Sequence, residues 1–283
     1  MLLGTAGLGQ ETVRQMAKHG ASHVFFTGRN SKSAESTISA AKSTNANAKI
    51  TFIECDLADL SSVKEASQNI AAATNRLDLV FCNAGIMAHP VGLSKDGYEI
   101  QFATIHIGHA LLVKTLLPIL QQTAAQPGTD VRLIFNTSLG FAFAQSIDFD
   151  TLKTEQSSIM MGAFRRYGQS KLANILYSAE LARRYPDITA VSVHPGVIKT
   201  GLFTGQMTAF NRYFTLLTTV GSTITLDEGV KNQLWAASVE KAKLANGGFY
   251  VPVGKPGKHT AASQNGDLAA KLWEWTETTL DEF

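Results

Sequence analysis

His23-Val24-Phe25-Phe26-Thr27, closed by Gly28-Arg29-Asn30, is an apolar run of strand length that shows no polar alternation and ends in a turn. Such a run predicts a strand buried on both faces, as in a parallel sheet covered by helices. The neighbouring segments repeat the theme. Upstream, Gly4-Thr5-Ala6-Gly7-Leu8-Gly9 opens a helical pattern through Val13, Met16 and Ala17 to Gly20, a natural C-cap. Downstream come a polar helix over 31–43, a strand over 49–55 ending at Asp56, a helix over 60–74, and a strand over 77–82 ending at Asn83-Ala84-Gly85. Alternation at this spacing predicts βαβ units, and so an α/β, doubly wound parallel sheet.

The second half keeps the rhythm. Helices are expected over 97–123, from about 164 onward, over 226–238 and over 266–283, with strands over 131–136, 189–193 and 248–252. An irregular segment (139–163) and an apolar, turn-rich one (200–226) interrupt it. No linker, repeat or low-complexity block divides the chain, so residues 1–283 are expected to form one domain, with 200–226 as an apolar substrate loop.

The 283 residues are 45% hydrophobic and 17% charged, which fits a folded globular protein and excludes a disordered one. A formal net charge of +2, with no Lys/Arg run, argues against a nucleic-acid partner. Cys55 and Cys82 each sit inside an apolar strand-like run, as expected of buried free thiols in a reducing compartment. No uninterrupted apolar run reaches the ~18 residues of a membrane span. The N-terminus lacks the basic flank and apolar core of a signal peptide, and the cytoplasm is the expected location.

Tyr167-Gly168-Gln169-Ser170-Lys171 opens the helix that begins near 164. Positions four apart share a helix face, so the phenol of Tyr167 and the ammonium of Lys171 lie side by side. A cation beside a phenol is expected to lower its pKa from about 10 toward the range of a working proton donor. The pair alone does not distinguish this from a chance spacing on a solvated face. Gly4, Gly7, Leu8 and Gly9 are placed to bring a backbone turn and a helix N-terminus against a pyrophosphate. Arg29, just after a strand, is either a turn arginine or the residue that accommodates a 2′-phosphate, which favours NADP(H) over NADH. Asp56 either hydrogen-bonds an adenine or caps the next helix. His106 and His109, three apart on a helix, lack a third ligand and read as structural, so no metal site is expected. Phe141, Phe143, Met160 and Met161, with Phe203, Phe210, Tyr213 and Phe214, are candidates for the wall of a bulky apolar pocket or for core.

These motifs together resemble the short-chain dehydrogenase/reductase family over essentially the whole chain. The residues that carry the resemblance are Gly-Thr-Ala-Gly-Leu-Gly at 4–9, Cys-Asp-Leu at 55–57, Asn-Ala-Gly at 83–85, Asn136-Thr137-Ser138, Tyr167 with Lys171, and His194-Pro195-Gly196-Val197-Ile198-Lys199-Thr200. Within the family the chain looks most like the retinol-dehydrogenase-like and WW-domain-oxidoreductase-like group and its fungal reductases, notably in Tyr-Gly-Gln-Ser-Lys-Leu-Ala-Asn and in Tyr250-Val251-Pro252-Val253-Gly254. The resemblance implies a Rossmann-type fold in strand order 3-2-1-4-5-6-7 and an NADP(H)-dependent oxidoreductase acting on the carbonyl or alcohol of a small molecule. It implies Tyr167 as general acid/base, Lys171 as the residue that lowers the Tyr167 pKa and binds the nicotinamide ribose, and Ser138 as the group that hydrogen-bonds the substrate oxygen. Asn83 would line the cofactor cleft, and Ile198 and Thr200 would meet the nicotinamide amide and the phosphates. Homodimers or homotetramers through the Tyr167 helix are common in the family, and fungal secondary metabolism is the setting by analogy.

Two departures stand against the pattern. Only Met1-Leu2-Leu3 precedes the glycine loop, so the first strand, the centre of the sheet, is largely missing. Its loss would leave unpaired backbone groups on both neighbours, each costing about 1–3 kcal/mol where buried. In Phe102-Ala103-Thr104-Ile105-His106-Ile107-Gly108-His109, related sequences carry Asn where Ile105 stands, and that Asn holds the water that links Lys171 to bulk solvent. The expectation is therefore twofold: an active enzyme read from a late Met, or a degenerate, catalytically impaired relative that acts as a binding or regulatory protein.

Overall fold

A computed structural model describes residues 1–157, 161–198 and 223–283. Among them the sheet contains β1 (Leu2–Leu3), β2 (Val24–Gly28), β3 (Ile50–Glu54), β4 (Leu79–Cys82), β5 (Arg132–Asn136), β6 (Thr189–Val193), β9 (Phe249–Val251) and β10 (Lys255–Pro256). A separate two-stranded ladder pairs β7 (Val197–Ile198) with β8 (Thr223–Ile224). The main sheet runs β10-β9-β6-β5-β4-β1-β2-β3, parallel throughout except for β10 against β9. The helices are α1 (Gly7–Lys18), α2 (Ser31–Lys42), α3 (Leu60–Ala73), α4 (Ile100–Ala124), α5 (Gly162–Arg184), α6 (Leu226–Gly229), α7 (Lys231–Ser238) and α8 (Gly266–Leu280).

Alternation along the buried strands divides the core. Phe25, Val80, Cys82, Leu133, Phe135 and Ala190 face the layer of α3, α4, α5 and α8. Phe26, Phe81, Ile134, Val191 and Val193 face the layer of α1, α2 and α7. Both faces being covered, the strands read as continuous apolar runs, and this is why the sequence discloses them. Cys55 and Cys82 are free and buried, as expected.

Two expected elements differ in detail, and a third lies largely outside the described residues. The single helix over 97–123 is α4, made of Ile100–Phe102, a π-turn at Ala103–Ile107 and a regular helix from Gly108 to Ala124. By length and composition α4 could cross a membrane, but 67% of its most apolar stretch is buried against the rest of the fold. The helix over 226–238 is two, α6 and α7, with a Thr225–Glu228 capping box at the start of the first. The expected loop over 200–226 lies largely outside the described residues, as do Met160, Phe203, Phe210, Tyr213 and Phe214.

The first strand is a two-residue stub, yet it keeps the central position. Leu2 pairs with Phe26 on one side and Phe81 on the other. The amide of Phe81 donates to the Met1 carbonyl at 3.0 Å, and the Met1 α-amine donates to the Leu79 carbonyl at 2.7 Å. Below the stub lies a cleft of 270 Å³ lined by Met1, Met16, Val24, Phe25, Leu77 and Leu79, among others. The α-amine is fully buried at its inner end, and burial pushes its pKa down to about 5 against the opposing pull of Asp78.

Candidate active site

The chain turns one way from β1 to β2 and β3, and the other way from β4 to β5 and β6. A crevice therefore opens at the carboxyl ends of β1 and β4, where ligands of open α/β sheets bind. Gly4 follows β1 at a φ of +128°, and a Cβ placed there would lie 3.2 Å from the Asn83 side-chain nitrogen. A Cβ on Gly9 would come within 2.6 Å of the Gly4 carbonyl oxygen, so only glycine lets the loop fold back on the start of α1. Ala6, at the N-cap, supplies no side-chain hydrogen bond, and no acidic residue sits in the first turn. The helix N-terminus thus faces the crevice with free amides and positive dipole, a fitting receptor for a pyrophosphate.

Arg29 is exposed directly after β2 and makes no ion pair among the described residues. A 2′-phosphate fits it. Asp56 turns one carboxylate oxygen to the amide of Ala58 at 3.0 Å, while the cap of α3 is Asp59, which accepts from Ser61 and Ser62. Of the two readings of Asp56, helix cap is the one that the geometry removes. Ile198 is buried beneath Gly229, close to Leu8, so β7 meets the glycine loop there. Thr200 lies outside the described residues.

The strand end and α5 are stapled twice. Lys171 Nζ donates to the Asn136 carbonyl at 3.0 Å, and the Thr137 hydroxyl donates to the Lys171 carbonyl at 2.8 Å. Asn174 Nδ2 reaches the same Asn136 oxygen at 3.0 Å, and Asn136 Nδ2 donates to Asn83 Oδ1 at 2.5 Å. Ser138 begins a 3₁₀ turn (Leu139–Phe143) and accepts from the Gly140 amide at 3.1 Å. A Cβ on Gly140 would lie 3.0 Å from the Tyr167 ring and 3.4 Å from Ser138 Oγ, so glycine is what lets phenol and hydroxyl converge. Asn136, Thr137 and Asn174 carry this geometry; the Asn136-Thr137-Ser138 motif and the run from Tyr167 to Asn174 marked them in the sequence, but neither assigned them a role.

The expected electrostatics of the pair are reversed. Tyr167 is buried, and burial pushes its phenol up to about 12, with the Ser138 hydroxyl pulling the other way. Lys171 Nζ stands 5.6 Å from the ring centroid and is itself pushed down to about 7 by burial. Desolvation outweighs the mutual help that their spacing suggests. Tyr167 is held as a phenol, the form that donates a proton to a carbonyl oxygen. Ile105 contributes to the dryness: its Cγ1 and Lys171 Nζ lie 3.4 and 3.5 Å from the point where a Gly85 Cβ would sit. Its carbonyl accepts from the His109 ring at 2.7 Å within the π-turn. His106 hydrogen-bonds Thr276 at 2.9 Å and packs on Tyr177, a core role.

The apolar rim is only partly as expected. Phe143 and Met161 are half exposed, and so is Leu139, which the sequence did not single out. Phe141 is buried and packs edge-on against Phe249 at 5.5 Å, so it belongs to the core and not to a pocket wall.

Known proteins resemble the chain in sequence and in fold. The family model described as short chain dehydrogenase matches residues 2–133. The short-chain dehydrogenase/reductase drtF of Aspergillus calidoustus is 35% identical, with 98% of this chain and 91% of that protein covered. A solved structure from Mycobacterium paratuberculosis superposes with a TM-score of 0.73 at 28% identity, covering 99% of this chain and 91% of that one. The NADPH-bound carbonyl reductase from chicken fatty liver superposes with a TM-score of 0.65 at 25% identity, over 91% and 97% of the two chains.

Replacing Ile105 by Asn rehydrates the Lys171 ammonium and should raise its pKa from about 7 toward the ordinary lysine range. If protonated Lys171 supports carbonyl reduction, the rate falls as pH rises through that pKa. In Ile105→Asn the falling limb of kcat against pH should move up by one unit or more. A limb that stays in place contradicts desolvation by Ile105.

Proposed function

The chain belongs to the short-chain dehydrogenase/reductase family, and we propose that it reduces the carbonyl of a bulky apolar small molecule to an alcohol with NADPH, or runs the reverse oxidation. The convergence of the Tyr167 phenol and the Ser138 hydroxyl on Gly140 carries this reading. When bound, the nicotinamide supplies or accepts the hydride. Ser138 Oγ holds the substrate oxygen, and Tyr167 donates its proton to that oxygen as charge develops there. Lys171, fixed by the Asn136 carbonyl, keeps its ammonium beside the phenol and within reach of the cofactor ribose.

NADPH is favoured over NADH because Arg29 is exposed at the end of β2, where a cation accommodates a 2′-phosphate. A bulky apolar substrate is favoured by Leu139, Phe143 and Met161, large apolar side chains left exposed at 51%, 52% and 48% in the segments that lead from Ser138 and into the Tyr167 helix. Fungal relatives such as drtF make secondary metabolism a reasonable setting. The second reading, a catalytically impaired binding protein, rests on Ile105, an apolar side chain close to the Lys171 ammonium.

The reading is tested by titrating the protein with NADPH and NADH and assaying a panel of aromatic and long-chain ketones. NADPH should bind at least tenfold more tightly than NADH, and Arg29→Asp should reverse that order. Tyr167→Phe should bind NADPH normally and lose roughly 10²-fold or more in kcat. Failure to bind either cofactor overturns the reading, and full turnover by Tyr167→Phe overturns the role of the phenol. Normal cofactor binding without turnover of any ketone, restored by Ile105→Asn, supports the second reading.

A further inference from the structure

Helix α7 carries two adjacent amides, Asn232 and Gln233, both completely buried in an otherwise apolar layer. Buried amides persist where every donor and acceptor is matched, and here the matching runs in one direction. Asn136 Nδ2 donates one hydrogen to Asn83 Oδ1 and the other to Gln233 Oε1 at 2.9 Å. Gln233 Nε2 donates to the Thr12 hydroxyl, and Thr12 Oγ1 donates to the Leu8 carbonyl at 2.7 Å. Leu8 lies between Gly7 and Gly9 in the first turn of α1. At the other end, the Asn136 carbonyl holds Lys171 Nζ. Asn232 repeats the arrangement on the far side of the crevice, donating to the carbonyls of His194 at 2.7 Å and Tyr250 at 3.2 Å and accepting from the Gly254 amide at 2.9 Å.

We infer that Gln233 is a positioning residue that ties the glycine loop to the catalytic lysine. The inference rests on the NADPH reading above. Gln233 contacts neither expected ligand; it fixes which way the Asn136 amide points and where the first turn of α1 sits. Its oxygen can serve only Asn136 and its nitrogen only Thr12, because the Thr12 hydroxyl is committed as a donor to Leu8. Shape alone therefore cannot replace it. Leucine fills the same space but leaves an Asn136 hydrogen and a Thr12 lone pair unmatched inside the core.

The two ends predict different kinetic signatures. Thr12→Val cuts only the loop end and should raise the KM for NADPH about tenfold, with kcat nearly unchanged. Gln233→Leu cuts both ends and should raise that KM by a similar factor while lowering kcat roughly tenfold. Gln233→Glu keeps an acceptor for Asn136 and should retain most of kcat while weakening NADPH binding. Because Thr12 acts through Gln233, Thr12→Val added to Gln233→Leu should cost no further NADPH affinity. A purely structural role predicts a lower melting temperature with unchanged KM and kcat below it, and that result overturns the inference, as does additivity of the two substitutions. Should Gln233→Leu not fold, Thr12→Val and Gln233→Glu decide, and an unchanged NADPH KM in Thr12→Val overturns it. A wild-type chain that binds no NADPH overturns the functional reading itself, an outcome distinct from normal wild-type binding with silent substitutions.

Discussion

A lysine ammonium taken out of water must be given an oxygen, and here the oxygen is the carbonyl of Asn136 at the end of β5. That one contact requires the strand end to stop at a fixed height against α5, and the Thr137 hydroxyl locks the same height from the other direction. With Lys171 fixed, helical geometry fixes Tyr167 one turn earlier, and Gly140 admits the ring beside Ser138. The strand that supplies Asn136 also supplies the partner for Asn83, and so for the crevice beside β1. The cluster of Ser138, Tyr167 and Lys171 and the crevice beside β1 are two consequences of where β5 ends.

Burial sets the chemistry as well as the geometry. Taken as neighbours in water, Tyr167 and Lys171 would favour each other's charged forms, the ammonium lowering the phenol's pKa and the phenolate raising the lysine's. Inside this fold both neutral forms gain, since each charge would have to be carried without solvent. The phenol is thereby kept in its proton-donating form, and an ammonium pushed down to about 7 sits at the edge of its charged range. Ile105 adds to this balance as an apolar neighbour: its Cγ1 and the Lys171 Nζ both lie within 3.5 Å of the point where a Gly85 Cβ would sit.

Much of the fold was legible because a parallel sheet writes itself as unbroken apolar strands separated by helices; β5 and β6 are buried along their whole length and β2 up to its last residue, Gly28. Tyr167 and Lys171 were legible for a similar reason, their partnership being fixed by helix period alone. What escaped the sequence depends on contacts between distant positions. Gln233 meets Asn136 across 97 positions and Thr12 across 221, and nothing local distinguishes it from a surface glutamine. The π-turn at Ala103–Ile107 hides inside an evenly apolar helix, and the burial of Phe141 depends on Phe249 arriving from the far end of the chain. That Leu2 and Leu3 alone would hold the centre of the sheet was not legible, because their pairing depends on Phe26 and Phe81 arriving from β2 and β4.

The central claim is that hydride passes to a carbonyl carbon held beside Tyr167 and Ser138. Incubation with an aromatic ketone and NADPH deuterated at the transferable C4 position tests it most directly. Mass spectrometry of the product should find one deuterium on the carbinol carbon of a single enantiomer of the alcohol. An alcohol without deuterium at that carbon, or no alcohol although NADPH is bound, would contradict the account.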